Sequence, residues 1–239
     1  MTGGLTAFVL AGGLGTRVAH VLGDTPKILA PVGGRPFLDY LLERLASWRV
    51  NKVVLGLGHL AEPVMRHLDE ITPAVPVECR VERAPLGTAG ALRLARPLLA
   101  GDPVLVLNGD TWLDFDFPAF LAYHRTSADS AATLVGVRAK DVTRYGSLIV
   151  EADGRVVRFT EKESSGPGIV YGGAGLFSAA LLDKIVSLKG MALERDVLMR
   201  LGKGELRCYV AEDPVFLDIG TPYSLEQAST AITGQEKRA

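Results

Sequence analysis

The chain has 239 residues, 48% of them hydrophobic, which suits one large domain with a sizeable core. Basic and acidic residues number 26 and 27, for a formal net charge of -1 with no run of like charges. That balance argues against a nucleic-acid groove or an anionic membrane surface as the main partner and favours small ligands.

The first apolar run, "TAFVLAG", is too short to span a bilayer, lacks a basic leader and is broken by glycines. Neither a signal peptide nor a membrane anchor is expected, and a cytoplasmic location is. Apolar runs then alternate with helical patterns: helix "PFLDYLLERLASW", strand "KVVLGLG", a helix over 61–70, strand "VPVECRVE", helix "AGALRLARPLL" and strand "PVLVLNGD". Continuous apolar runs mark strands buried on both faces, and the connections are long enough for crossover helices. The expected fold is α/β, a doubly wound, mostly parallel, Rossmann-like sheet flanked by helices.

After Asp110 the pattern changes to helix "FDFPAFLAYHRTS", strand "AATLVGVR" and a hairpin "SLIVEADGRVVRFTEK" turning at "DGR". Strand "IVYGGAGLFS", two short helices around 179–202, strands "LRCYVA" and "VFLDIG" and a helix "PYSLEQAST" follow. No repeat or linker appears, so residues 1–232 read as one domain, with 233–239 as a frayed tail. Cys79 and Cys208 alternate with apolar residues and read as buried thiols of a reducing compartment rather than a disulfide or a metal pair.

Ligands of an open parallel sheet sit outside the carboxyl ends of its strands, which draws attention to Gly12 to Arg17, Glu82, Asn108 to Asp110, and Asp218. The loop in "FVLAGGLGTRV" follows a strand, so its backbone N–H groups can converge on phosphate oxygens. It is not a P-loop, and the dinucleotide pattern G-x-G-x-x-G fails where Val18 replaces the third glycine, which disfavours an oxidoreductase. Arg17 offers a fork of donors suited to pyrophosphate, and Lys27, among apolar and proline residues, is costly unless it meets an anion. Taken alone, the loop could equally be a plain tight turn and Lys27 a surface side chain.

Together, "LAGGLGTR" and "TPKILAPVGGRPFLDYLLERL" resemble the opening signature of the sugar-1-phosphate nucleotidylyltransferases, which join a nucleoside triphosphate to a sugar 1-phosphate and release pyrophosphate. "VERAPLGTAGAL", "LNGD", "FTEK", "YGGAGLF" and "FLDIGTP" extend the resemblance along nearly the whole chain. It implies that Leu10, Ala11, Gly12, Gly13, Gly15, Thr16, Arg17, Glu82, Gly87 and Thr88 bind the nucleotide, and that Asp110 and Asp218 hold Mg²⁺. It further implies Asn108, Tyr145, Gly146, Glu161, Lys162, Gly173 and Glu194 on the sugar-phosphate side, with Arg17, Lys27, Asp110, Lys162 and Asp218 as the catalytic set. Two departures stand out: Glu163 replaces the proline that often follows the lysine of "FTEK", and Ala192 takes the serine place of the motif containing Glu194.

Glu82 presents two acceptor oxygens that match the N1–H and N2–H₂ edge of guanine, which favours GTP, although a ribose contact or solvation would also use a glutamate there. His20, His59, His67 and His124 fall outside every segment singled out and read as surface or structural, as Trp48 and Trp112 read as packing residues. Within the family the chain most resembles the bacterial D-glycero-D-manno-heptose 1-phosphate guanylyltransferases. Rivals are a mannose 1-phosphate guanylyltransferase, an amino-sugar 1-phosphate uridylyltransferase, and a non-catalytic nucleotide-sugar sensor. A homodimer is the commonest assembly to expect.

Overall fold

Alternation along β1 (Leu5–Leu10) sends side chains into two apolar layers: Ala7 and Val9 enter one core cluster and Phe8 the other, all fully buried. The strand therefore has no polar face, which is why its sequence reads as an unbroken apolar run. The computed structural model describes residues 4–13, 15, 17–127, 130–143, 145, 147–160 and 165–236, without the side chains of 235 and 236.

After β1 come a single helical turn α1 (Ala19–Leu22), a small hairpin of β2 (Pro31–Val32) and β3 (Arg35–Pro36), and then α2 (Phe37–Ser47). The doubly wound part continues through β4 (Val50–Leu57), α3 (Ala61–Glu70), β5 (Val77–Val81), α4 (Gly87–Ala95) and β6 (Val104–Asn108). Next follow β7 (Thr111–Asp114), α5 (Phe117–Thr126), β8 (Ala132–Ala139), β9 (Ser147–Val150), β10 (Val156–Thr160) and β11 (Gly168–Phe177). The described chain closes with α6 (Ala179–Ser187), β12 (Leu206–Val210), β13 (Val215–Asp218) and α7 (Pro222–Glu236).

The main sheet has the order β10-β9-β11-β6-β1-β4-β5, with β8 on the far edge of β11 and β12 beyond it. Pairs β6–β1, β1–β4, β4–β5 and β8–β12 are parallel, and β11 runs antiparallel to β6, β8 and β9. The sheet is thus mixed, with the expected parallel half. One core layer is filled by Phe37, Leu38, Leu41, Leu42 and Leu45 of α2, an apolar stripe at helical spacing. Opposite, Ala89 and Leu92 of α4 meet Leu181, Leu182 and Ile185 of α6. Helix starts follow local chemistry: Asp116 accepts the Ala119 N–H at α5, and Ser178 accepts the Leu181 N–H at α6. Trp48 stacks on Phe117 at 4.6 Å, and Trp112 meets Phe37 edge-on at 6.3 Å, so both tryptophans pack as expected.

Several elements differ from the sequence expectation. The strand β7 was not anticipated; it pairs with β13 in a separate antiparallel ribbon, so Asp218 reaches the site from outside the main sheet. Helix α7 continues to Glu236, into the segment expected to fray, because its last turns cover the β2–β3 hairpin: a Cβ at Gly33 would lie 2.5 Å from Thr233 Cγ2. Cys208 is buried, and burial pushes its thiol up to about 12. Cys79 is only half-buried, with its thiol raised by the same cause, and both cysteines are free. No helix of the described residues is long and apolar enough to cross a membrane.

Candidate active site

A cavity of about 700 Å³ opens where β1, β4 and β6 end. Backbone bonds align the three ends: the Ala11 N–H donates to Gly56 O at 2.9 Å, and the Gly109 N–H to Leu10 O at 2.9 Å. Leu10, Ala11, Gly12, Gly13, Gly15 and Arg17 all line it. Across from them lie Glu82, Gly87 and Thr88. Glu82 is set by its own backbone, whose N–H donates to Leu57 O at 2.9 Å, and its Oε2 accepts the Leu86 N–H at 3.2 Å. Its Oε1 rests against two glycines: a Cβ would come within 2.8 Å of it at Gly58 and 3.3 Å at Gly12. A side chain at position 58 would therefore displace the carboxylate from the cavity wall.

Asp110 stands on the turn between β6 and β7, and β13 returns beside β7 with Asp218 opposite Thr111. The Ile219 N–H donates to Asp110 O at 2.9 Å, so the ribbon brings the two carboxylates together across more than a hundred residues of chain. Between them sits Lys27, its Nζ 2.7 Å from Asp110 Oδ2 and 3.6 Å from Asp218 Oδ1. The lysine side chain is 12% exposed, and these two anions account for its presence among apolar neighbours. Asp218 Oδ1 has no hydrogen-bond partner among the described residues. Gly220 lines the cavity and packs against the same carboxylate, where a Cβ would lie 2.6 Å from Oδ1.

A buried, unsatisfied carboxylate oxygen beside a second carboxylate suits a hard divalent cation. Among the described residues no cluster of three or more His, Cys, Asp or Glu side chains forms, so such a cation would complete its shell with phosphate oxygens and water, the habit of Mg²⁺.

Of the residues that the resemblance gives to the sugar phosphate, Asn108 and Glu194 line the cavity and Gly173 packs behind Asn108 without lining it. Gly173 has φ of +76°, and a Cβ there would lie 3.1 Å from Asn108 Nδ2 and 3.2 Å from Thr111 Oγ1, so glycine lets β11 pass against both. Glu194 stands on a π-helical turn, Leu193–Val197. Burial, and then the nearby Glu194 carboxylate, holds the Tyr171 phenol of β11 well above its ordinary range. Tyr145 is outside the cavity lining and packs its ring on Phe216 of β13 at 5.4 Å. Thr16, Gly146, Glu161 and Lys162 lie outside the described residues.

Two ionisable cavity residues escaped the sequence reading. His59, expected to be surface or structural, lines the cavity from the turn after β4, and Arg83 lines it beside Glu82. Arg83 stood within the quoted "VERAPLGTAGAL", beside Glu82, and His59 stands just past the carboxyl end of β4, so position was the available signal for both.

The site is thus a glycine-lined cavity at parallel strand ends, with Lys27 and Asp110 in its lining and Asp218, outside the lining, against both the lysine and Gly220. The family model described as Nucleotidyl transferase matches residues 6–235, and the chain belongs to that family. It is 28% identical to the D-glycero-alpha-D-manno-heptose 1-phosphate guanylyltransferase of Campylobacter jejuni, over 91% of this chain and 96% of that protein. It is 30% identical to the mannose-1-phosphate guanylyltransferase catalytic subunit beta of Xenopus tropicalis, over 91% of this chain and 62% of that protein. The crystal structure of HddC from Yersinia pseudotuberculosis complexed with GMP-PN has the same fold, with a TM-score of 0.84, 32% identity, and 95% of this chain and 99% of that one covered.

Proposed function

We propose that the protein is a Mg²⁺-dependent guanylyltransferase that moves GMP from GTP to D-glycero-D-manno-heptose 1-phosphate, releasing pyrophosphate and forming GDP-heptose for a cell-surface polysaccharide. The observation that carries this reading is Lys27 seated between Asp110 and Asp218, with Lys27 and Asp110 in the lining of the glycine-walled cavity. The heptose is favoured because the match to the heptose enzyme of Campylobacter jejuni runs over nearly the full length of both proteins. Mannose 1-phosphate is the second reading, from relatives matched over a smaller share of their length. Free thiols and the lack of a membrane-length helix among the described residues fit action in the cytoplasm.

The chemistry needs no general base. A phosphate monoester has a second pKa of about 6, so the sugar phosphate arrives at neutral pH mainly as a dianion able to attack. One of its oxygens bonds to the α-phosphorus of GTP while the bond to the bridging oxygen breaks, and pyrophosphate leaves with that electron pair. Two anions must be held in line and the charge on the leaving group neutralised. Arg17 would meet the β- and γ-phosphates, and Lys27 would offset the charge that develops as they depart. Asp110 and Asp218 would hold Mg²⁺, which when bound supplies charge neutralisation at the reacting phosphates. Asn108, Gly173 and Glu194 orient the sugar, and the family pattern gives Lys162, with Glu161, Tyr145 and Gly146, to its phosphate and hydroxyls.

Glu82 reads the base in this scheme. Its Oε2 uses one lone pair on Leu86 and retains another, and Oε1 faces the glycine shelf at the cavity wall. Glu82→Gln replaces an acceptor by a donor and is expected to lower the preference for GTP over UTP by about 1.5–3 kcal/mol. Rates with the two nucleotides in competition check this, and an unchanged preference would remove the base assignment. The substrate reading is tested by pyrophosphate release in a matrix of four nucleoside triphosphates against mannose, glucose, glucosamine and heptose 1-phosphates. GTP with heptose 1-phosphate should be fastest; silence across the matrix would leave a nucleotide-sugar sensor instead.

A further inference from the structure

We propose that Thr88 is a positioning residue for the sugar side of the site, holding in place the turn that presents Glu194 to the cavity. This rests on the transferase reading above and adds to it a link between the nucleotide and sugar halves. Thr88 opens α4, and its Oγ1 accepts the Leu193 N–H at 2.7 Å, one residue before Glu194 and 105 residues along the chain.

The surroundings make this a built contact. Gly87 has φ of +72°, and a Cβ there would lie 2.5 Å from Met191 O, so the segment before Glu194 passes directly over the start of α4. The Ala89 N–H, an unpaired donor of the first helical turn, donates to that Met191 O at 2.9 Å. Arg93 Nη1 reaches Gly190 O at 2.8 Å. From the other side, Asp196 Oδ2 accepts the Met191 and Ala192 N–H groups at 2.8 and 2.9 Å. The Arg195 side chain first, and then those two N–H groups, hold the Asp196 carboxyl well below the usual range.

Leu193 and Val197 are 1% and 2% exposed and anchor the turn in the core, which leaves Glu194 between them to face the cavity. The other ties from outside this turn end at or before Ala192, and within the turn the Leu198 N–H reaches the Leu193 and Glu194 carbonyls; the Thr88 hydroxyl takes the Leu193 N–H, one residue before Glu194. A buried N–H that loses its acceptor is costly, so removing the hydroxyl should shift the turn and with it Glu194.

The test uses the full chain with Thr88→Val and Thr88→Ser, and Thr88→Ala where the valine disturbs the helix start. Thr88→Val is expected to raise the KM for the sugar 1-phosphate about tenfold in the wild-type background, to add less than about twofold in a Glu194→Gln background, and Thr88→Ser to restore the sugar KM. A sugar KM that does not move, or that rises as much in Glu194→Gln as in wild type, overturns the proposal. Peptide-level hydrogen exchange over residues 188–197 decides the link without turnover. Faster exchange in Thr88→Val than in Thr88→Ser supports it and equal exchange overturns it, whereas an inactive wild-type protein with that exchange difference present overturns only the transferase reading.

Discussion

Lys27→Met is expected to lower kcat about 10²–10³-fold, the scale of removing one preorganised group that meets charge developing in a transition state. In the structure the ammonium lies 2.7 Å from Asp110 Oδ2 and 3.6 Å from Asp218 Oδ1. Its absence would leave two carboxylates facing the incoming triphosphate with one cation fewer, so both substrate approach and departure of pyrophosphate become harder. Stability should change much less, because the Asp110 side chain is 40% exposed and water screens what the pair contributes to folding. Lys27→Arg should fall between, since a planar fork cannot replace a compact ammonium seated between two carboxylates. Pyrophosphate release measures the rate and urea unfolding the stability; a near-wild-type kcat in Lys27→Met would contradict the role assigned to the lysine.

Phe8→Ala is expected to destabilise the protein by about 3–5 kcal/mol. Phe8 is fully buried in β1, a strand with parallel neighbours on both sides. A Cβ at Gly56 of β4 would lie 2.7 Å from its Cζ, so the ring fills the space that a glycine on the next strand leaves open. Truncation removes the ring without offering that backbone anything to close on. The urea midpoint should fall with the slope unchanged, while Val157→Ala, at 60% exposure on β10, should stay within about 0.5 kcal/mol. A loss below about 1 kcal/mol for Phe8→Ala would show that the two cores can collapse around the vacancy. Since β1 leads directly into the glycine loop, the weakened protein should also bind GTP less tightly.

What the sequence made legible was what local pattern encodes. The apolar runs of β1, β4 and β6 are buried on both faces, so their composition alone marked a parallel sheet, and the residues at or just past the ends of β1, β5 and β6 marked the cavity. Thus Gly12, Gly13, Glu82, Asn108 and Asp110 all reach it. What escaped was what distant pairing decides. The four residues of β7, "TWLD", are too few to show a period, and their partner β13 lies a hundred residues on. Thr88 carries no local sign that its hydroxyl meets Leu193, 105 residues away. Helix α7 outran its polar, glycine-containing sequence because Thr233 packs on the Gly33 turn, a case of tertiary contact overriding propensity.

The central claim is that this site transfers a guanylyl group to a sugar 1-phosphate. Phosphorus NMR of the protein incubated with GTP, heptose 1-phosphate and Mg²⁺ tests it most directly. Pyrophosphate and a new sugar-linked diphosphate should appear in equal amounts, and neither in the absence of the sugar phosphate. GTP that stays intact, or that is hydrolysed to GDP and phosphate with no sugar-linked product, would contradict it.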